Sequence, residues 1–278
     1  MSRKYTTILS IAGSDSIGGA GIQADIKTAC AQGVYAMTVI TAVTAQNTRG
    51  VLTYDAVRPE LLDAQLQAVL SDVRPDAVKI GMIPDGESAR IIAARLALHK
   101  LKNIVLDPVM VSTSGSDLSS DDAVKAMTEL LFPMASLVTP NVSEASRLAG
   151  IKVDSTLQMM LAAMSILDCF GARAVLVKGG DLPSPGAEIT DILSRKGAQP
   201  VQITHARVNT RNTHGTGCSL SSAIACGLAS GERLETAVRR ATLWLSGAID
   251  AGKDFSLGRG RGPVNHLYKN HPDQNRLL

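Results

Sequence analysis

Short aliphatic runs of strand length alternate with longer stretches of helical periodicity along nearly the whole chain, and this rhythm restricts the fold more than any other feature. Residues 8–11, 38–42, 77–80, 104–106, 136–139 and 174–177 read as strands. Residues 21–32, 60–73, 87–99, 121–131, 142–148, 157–170, 217–228 and 234–249 read as helices. In the first helix Ile22, Ile26 and Ala29 share one face, and in the second Leu62, Leu66, Val69 and Leu70 do. Residues 189–193 and 201–203 read as a hairpin. Strand–helix alternation predicts an α/β fold: a central, mostly parallel sheet with helices on both faces.

Composition agrees. Aromatics are 3% of the 278 residues, so the core must be built from Ala, Val, Ile and Leu, which suits buried parallel strands. No linker and no internal repeat interrupts the pattern, so residues 1–278 are expected to form a single domain. Residues 47–58 read as a small flap beside the main sheet, and 252–278 as an irregular C-terminal segment. A net charge of +3 is too weak to argue for nucleic acid. The basic Gly258–Pro263 stretch reads as a loop rather than an RNA-binding repeat. Cys30, Cys169, Cys218 and Cys226 form no C-x-x-C pair and read as reduced thiols. No apolar run approaches a membrane span. A soluble, cytoplasmic protein is expected.

In open α/β sheets, ligands bind beyond the carboxyl ends of the strands, and the unusual residues of this chain gather there. Asn212-Thr213-His214-Gly215-Thr216-Gly217-Cys218 stands directly before a helix of small residues. Two glycines allow close backbone approach, and the helix start offers free N–H groups and the positive end of the dipole. That is an anion site suited to a phosphoryl group in transfer. The plainer reading is a helix cap at Thr216. An exposed Cys218 in the first turn would have a lowered pKa and could serve as base or nucleophile; a buried one would be packing. His214 has no partner at metal-ligand spacing, so zinc is not proposed. No G-x-S-x-G elbow is present.

Residues 13–21 form a glycine-rich loop after the first strand, and Gly19 to Ala24 match G-x-G-x-x-A. The glycines come too late after the strand, and no acidic residue ends the second strand, so a nicotinamide-binding reading is weak. A substrate-side loop is favoured. Asp25 lies one helical turn on and Gln46 follows the second strand. A carboxylate and an amide together can read a ring bearing an amino group and ring nitrogens. Asp107 and Asn141 end strands, and Glu144 is three residues beyond Asn141. Asn141 and Glu144 read as a capping box or, with Asp107, as the hard oxygens of a Mg²⁺ site. Lys178-Gly179-Gly180 ends another strand, where a lysine can neutralise phosphate.

These segments together resemble the hydroxymethylpyrimidine/phosphomethylpyrimidine kinases of thiamin biosynthesis, in the ribokinase-like superfamily. Those carrying the resemblance are residues 12–15 with 18–25, 39–48, Lys79-Ile80-Gly81-Met82, Asp107-Pro108-Val109-Met110, Thr139-Pro140-Asn141 with Glu144, Val177 to Gly180, the Gly-Thr-Gly-Cys turn and Gly262-Pro263-Val264. The resemblance implies a ribokinase-like three-layer sandwich, a homodimer, and ATP-dependent phosphorylation of 4-amino-5-hydroxymethyl-2-methylpyrimidine and then of its monophosphate. It implies a pyrimidine pocket of Gly13, Asp25, Gln46, Met82 and Val109. It implies a phosphate and metal end of Asp107, Asn141, Glu144 and Lys178, and an anion hole of Gly215, Thr216 and Gly217. Cys218 holds the position of a catalytic aspartate in related sugar kinases. Ile17 and Asp181 depart from the family pattern. A pyridoxine or pyridoxal kinase of the same superfamily is the nearest competing reading. A nicotinamide-dependent oxidoreductase and a nucleotide-binding module without turnover are more distant.

Overall fold

The computed structural model describes residues 4–110, 118–182 and 186–270. The end of the expected irregular C-terminal segment, 271–278, lies outside the described residues. Strands β1 (Thr7–Asp15), β2 (Tyr35–Asn47), β3 (Gly50–Ala56), β4 (Ala77–Ile80), β5 (Ile104–Leu106), β6 (Leu137–Val138), β7 (Ala174–Val177), β8 (Glu188–Arg195) and β9 (Val201–Ala206) form one sheet. Its order is β3-β2-β1-β4-β5-β6-β7-β8-β9. The six strands from β2 to β7 in that order run parallel, while β3, β8 and β9 pair antiparallel at the edges. The helices are α1 (Gly21–Ala31), α2 (Pro59–Leu70), α3 (Gly86–Leu98), α4 (Asp121–Ala126), α5 (Val142–Ala149), α6 (Thr156–Phe170), α7 (Thr216–Ala229) and α8 (Leu234–Gly252).

The two-residue period of the strands divides the core into two layers. Leu9, Val78, Ile104 and Leu106 point one way, onto Leu62, Ile92 and Ile166 of α2, α3 and α6. Ile8, Ala77 and Val105 point the other way, onto Ala223, Ile224 and Trp244 of α7 and α8. All the strand residues named are buried to within 1%. This is the three-layer sandwich that the alternation of elements predicts.

Boundaries differ from the sequence reading in several places, and three of the differences have a clear physical reason. Residues 50–56 are an edge strand of the sheet itself, hydrogen-bonded to the far end of β2, rather than a detached flap. β2 runs well past residue 42 because its end pairs with both β1 and β3. The helix expected over 121–131 ends at Ala126 and widens into a π turn, Met127–Leu131. A short 3₁₀ turn then carries Pro133, whose missing N–H cannot continue the ladder.

Candidate active site

A cleft of about 950 Å³ opens along the carboxyl ends of the parallel strands. Gly13, Gln46, Met82 and Val109 line one end; Asp107, Lys178 and Gly215 to Cys218 line its middle. Asp181, Asp191, Arg207 and Ser246 line the other end.

The middle is organised by close backbone packing. Gly215 caps α7 in the left-handed conformation, φ +79°. A Cβ there would lie 1.8 Å from the carbonyl oxygen of Gly19, so the two glycine-rich loops press directly on each other. Asp15 joins them a second time. Its carboxylate accepts N–H bonds from Ile17 (3.1 Å), Gly19 (2.9 Å) and Ala20 (2.8 Å) and lies 2.9 Å from His214 Nε2. Burial opposes its charge, but His214 and the backbone N–H groups outweigh burial and hold its pKa below the usual carboxylate value. The first loop thus spends the N–H groups of Gly19 and Ala20 on its own aspartate. It is not a free phosphate cradle, which argues against the dinucleotide reading. Ile17, one of the departures from the family pattern, takes part through its main chain.

Facing this turn are the ends of β5, β6 and β7. Lys178 Nζ lies 2.7 Å from Asp107 Oδ1, which also accepts from Thr139 Oγ1 at 2.9 Å. A Cβ on Gly217 would lie 3.4 Å from both Asp107 Oδ2 and Lys178 Nζ, so the helix tip, carboxylate and ammonium converge on one point. Burial disfavours the Lys178 charge, but Asp107 and Glu144 beside it raise its pKa above the ordinary lysine value. Asn141 and Glu144 form a full capping box on α5: Glu144 N–H donates to Asn141 Oδ1 at 2.9 Å, and Asn141 N–H to Glu144 Oε2 at 2.7 Å. The plainer reading of this pair is therefore realised, yet Glu144 also faces the cleft. Burial pushes its pKa up to about 7; Lys178 counters this and Asp107 adds to it.

Cys218 is half-buried. The lowering expected of an exposed thiol in a first helical turn does not occur: burial pushes it up to about 11, against the pull of Lys79, with Asp25 and Asp107 adding to the rise. A neutral thiol, not a thiolate, faces the cleft.

At the end lined by Gly13 and Gln46, Met82, Val109, Leu118, Ala42 and Tyr54 pack as a small apolar cluster. A Cβ at Gly13 would lie 3.0 Å from the Met82 sulfur, so glycine there gives a flat ligand room. Gln46 is half-buried, with Nε2 3.3 Å from His214 Nε2 and Oε1 3.5 Å from Thr44 Oγ1. Asp25 is not brought to this end. It is 0% exposed and bonded to Lys79 Nζ at 2.8 Å, Ser10 Oγ at 2.6 Å and Ser222 Oγ at 2.6 Å. These partners hold it between β1, β4 and α7, and it does not line the cleft. The placement of Asp25 in the pyrimidine pocket is thus corrected.

Sequence reasoning missed the parts played by Asp15, His214 and Asp191. Asp191 Oδ1 accepts the Gly179 N–H at 2.8 Å and so fixes the turn after Lys178. A Cβ on Gly179 would meet the Thr190 carbonyl at 2.0 Å, which requires glycine there. Asp15 had a readable signal: a carboxylate two to five residues before successive loop N–H groups. Asp191 had none, because it meets Gly179 only through the β7–β8 pairing. Asp181 is exposed at the cleft edge.

A doubly wound sheet with a glycine-tipped helix aimed between a lysine and a carboxylate defines a small-molecule kinase of the ribokinase-like class. The family model for phosphomethylpyrimidine kinase matches residues 15–265, and the chain belongs to that family. A hydroxymethylpyrimidine/phosphomethylpyrimidine kinase of Rhizobium meliloti is 49% identical over 261 residues, 94% of this chain and 97% of the relative. The thiamine biosynthetic bifunctional enzyme TH1 of Arabidopsis thaliana is 44% identical over 99% of this chain, which spans only 53% of that longer protein. The crystal structure of an ADP complex of Bacillus subtilis pyridoxal kinase superposes with a TM-score of 0.86 at 32% identity, covering 99% of this chain and 100% of the other.

Proposed function

We propose that this chain transfers the γ-phosphoryl group of ATP to the hydroxymethyl oxygen of 4-amino-5-hydroxymethyl-2-methylpyrimidine, and then a second one to the resulting monophosphate. The observation that carries this is one continuous cleft. It joins a flat apolar slot at Gly13, Met82 and Val109 to the tip of α7, with Lys178 and Asp107 opposite.

In each step an acceptor oxygen forms a bond to γ-phosphorus while the bond to the β,γ-bridging oxygen breaks, and ADP leaves. Such transfer asks mainly for positioning and charge stabilisation. The N–H groups of Gly215 and Gly217 supply donors to the phosphoryl oxygens, each worth roughly 10²–10³ in rate, and that of Thr216 joins them by giving up its long bond to the Thr213 carbonyl, 3.4 Å. Lys178 supplies the mobile charge. A neutral Cys218 suits both acceptors. An aspartate there would repel the monophosphate, whose own oxygen needs no base. The alcohol releases its proton late in a loose transition state, to an oxygen of the transferred phosphoryl group or to water.

The donor set fits Mg²⁺. Among the described residues no group of three His, Cys, Asp or Glu forms a complete cage. Mg²⁺ takes one or two carboxylates and fills its shell with phosphate and water. Asp107 and Glu144, with Asn141, would hold it, and it would neutralise charge on the ATP phosphates. The end lined by Asp181, Arg207 and Ser246 would take the nucleoside. A homodimer in the cytosol and a single catalytic domain complete the reading. No helix among the described residues is long and apolar enough to cross a membrane.

Pyridoxal phosphorylation is the second reading, favoured by the fold likeness to a pyridoxal kinase. The 49% identity to a pyrimidine kinase weighs against it as the main activity. Mass analysis of products from the pyrimidine alcohol, ATP and Mg²⁺ should show one and then two added phosphates. Faster conversion of pyridoxal under the same conditions would overturn the substrate assignment.

A further inference from the structure

His214 bonds through one nitrogen to two groups, and this fixes a chemical polarity in the substrate end of the cleft. Asp15 is ionised and so acts only as an acceptor; besides His214 its two oxygens receive three backbone N–H bonds. His214 Nε2, 2.9 Å away and buried with it, must therefore carry a proton. The same Nε2 is 3.3 Å from the terminal amide of Gln46. An amide nitrogen facing that N–H would set two donors against each other. The donor–donor conflict is avoided only with the amide oxygen on the His214 side, where it shares the Nε2 proton with Asp15, and the NH₂ on the Thr44 side. Thr44 completes the pattern: its hydroxyl donates to the Ser14 carbonyl at 2.9 Å, which leaves its lone pairs free to accept from the amide.

We infer that His214, tied to Asp15, is a positioning residue that sets which way the Gln46 amide faces and thereby selects a ring with an exocyclic amino group next to a ring nitrogen. The amide's remaining oxygen lone pair accepts from the amino group on the His214 side. Its remaining N–H donates to the ring nitrogen on the Thr44 side. A pyridine whose hydroxyl is not adjacent to its ring nitrogen cannot satisfy both. The inference rests on the pyrimidine reading above and deepens it by assigning the origin of selectivity.

Two measurements test it. In wild-type protein labelled with ¹⁵N-histidine, long-range ¹H–¹⁵N spectra without substrate should show His214 as the Nε2–H tautomer. The Nδ1–H tautomer would overturn the inference whatever the enzyme turns over. The second compares kcat/KM for the aminopyrimidine alcohol with kcat/KM for the same ring lacking the amino group. His214→Leu should lower the ratio of the two by about ten-fold, the effect of one hydrogen bond, and His214→Gln, which keeps a donor, should restore part of it. A ratio that stays at the wild-type value overturns the inference but leaves the proposed function standing. A wild-type enzyme that phosphorylates neither ring removes both. If the leucine variant does not fold, the tautomer decides.

Discussion

A Cβ added to Gly215 would lie 1.8 Å from the carbonyl oxygen of Gly19, and Gly215 already holds a φ of +79°. The loop before α1 and the tip of α7 are therefore one packed unit. Gly215→Ala must push them apart and adopt a left-handed backbone as well. Strain of that kind costs roughly 1–3 kcal/mol, and the displaced helix tip withdraws at least one donor from the phosphoryl group. Turnover should fall about 100-fold or more, with a modest loss of thermal stability. A folded variant with near-normal kcat would disprove the anion-hole assignment.

Thiol reactivity should follow burial rather than position on a helix. Cys30 and Cys169 are exposed. Cys218 is pushed up to about 11 and Cys226 to about 12, both chiefly by burial. Iodoacetamide at neutral pH should alkylate Cys30 and Cys169 first and leave Cys218 largely unmodified, as peptide mass mapping would reveal. Preferential labelling of Cys218 at pH 7 would mean that the helix dipole prevails and that a thiolate base is available.

The parallel centre of the fold was readable because its strands are buried on both faces: runs such as Ile104-Val105-Leu106 and Ala174-Val175-Leu176-Val177 leave no polar side for water. The edges were harder. Tyr35 to Asn47 alternates in exposure, and its length is set by pairing with β3, a tertiary fact. The turn at 215–218 and Lys178 announced themselves by glycines at element ends. Asp25 misled, because chain proximity to the glycine loop says nothing about which face of α1 it occupies. The missed clue was Lys79: a lysine inside an apolar strand needs a buried carboxylate, and Asp25 supplies it.

Asp25→Asn therefore tests architecture, not recognition. It leaves Lys79, fully buried and with its pKa raised chiefly by Asp25 against the cost of burial, without its counter-charge. Breaking such a pair costs roughly 3–5 kcal/mol. Urea titration should show that loss, while KM for the pyrimidine in the folded fraction stays near wild type. Gln46→Ala should do the reverse: KM for the pyrimidine rises several-fold, KM for ATP is unchanged, and the urea midpoint barely moves. Exchanged outcomes would return Asp25 to the pocket.

Glu144 links pH to both stability and metal demand. Its folded pKa is raised from 4.5 to about 7, so the folded protein holds this proton more tightly than the unfolded chain. The stability that this gives is complete below pH 4.5 and is lost as pH rises through about 7. The loss is at most roughly 3–4 kcal/mol, because each tenfold gain in proton affinity is worth roughly 1.4 kcal/mol. Glu144→Gln keeps an oxygen for the Asn141 N–H but cannot ionise, so its unfolding free energy should be flatter across that window. Metal binding has the opposite dependence, because a ligand carboxylate must lose its proton first. The Mg²⁺ concentration for half-maximal rate should fall about ten-fold between pH 6 and pH 8 in the wild type, following the ionised fraction, and change little in the glutamine variant. Equal pH dependence in the two proteins would take Glu144 out of the metal site and leave it as the cap of α5.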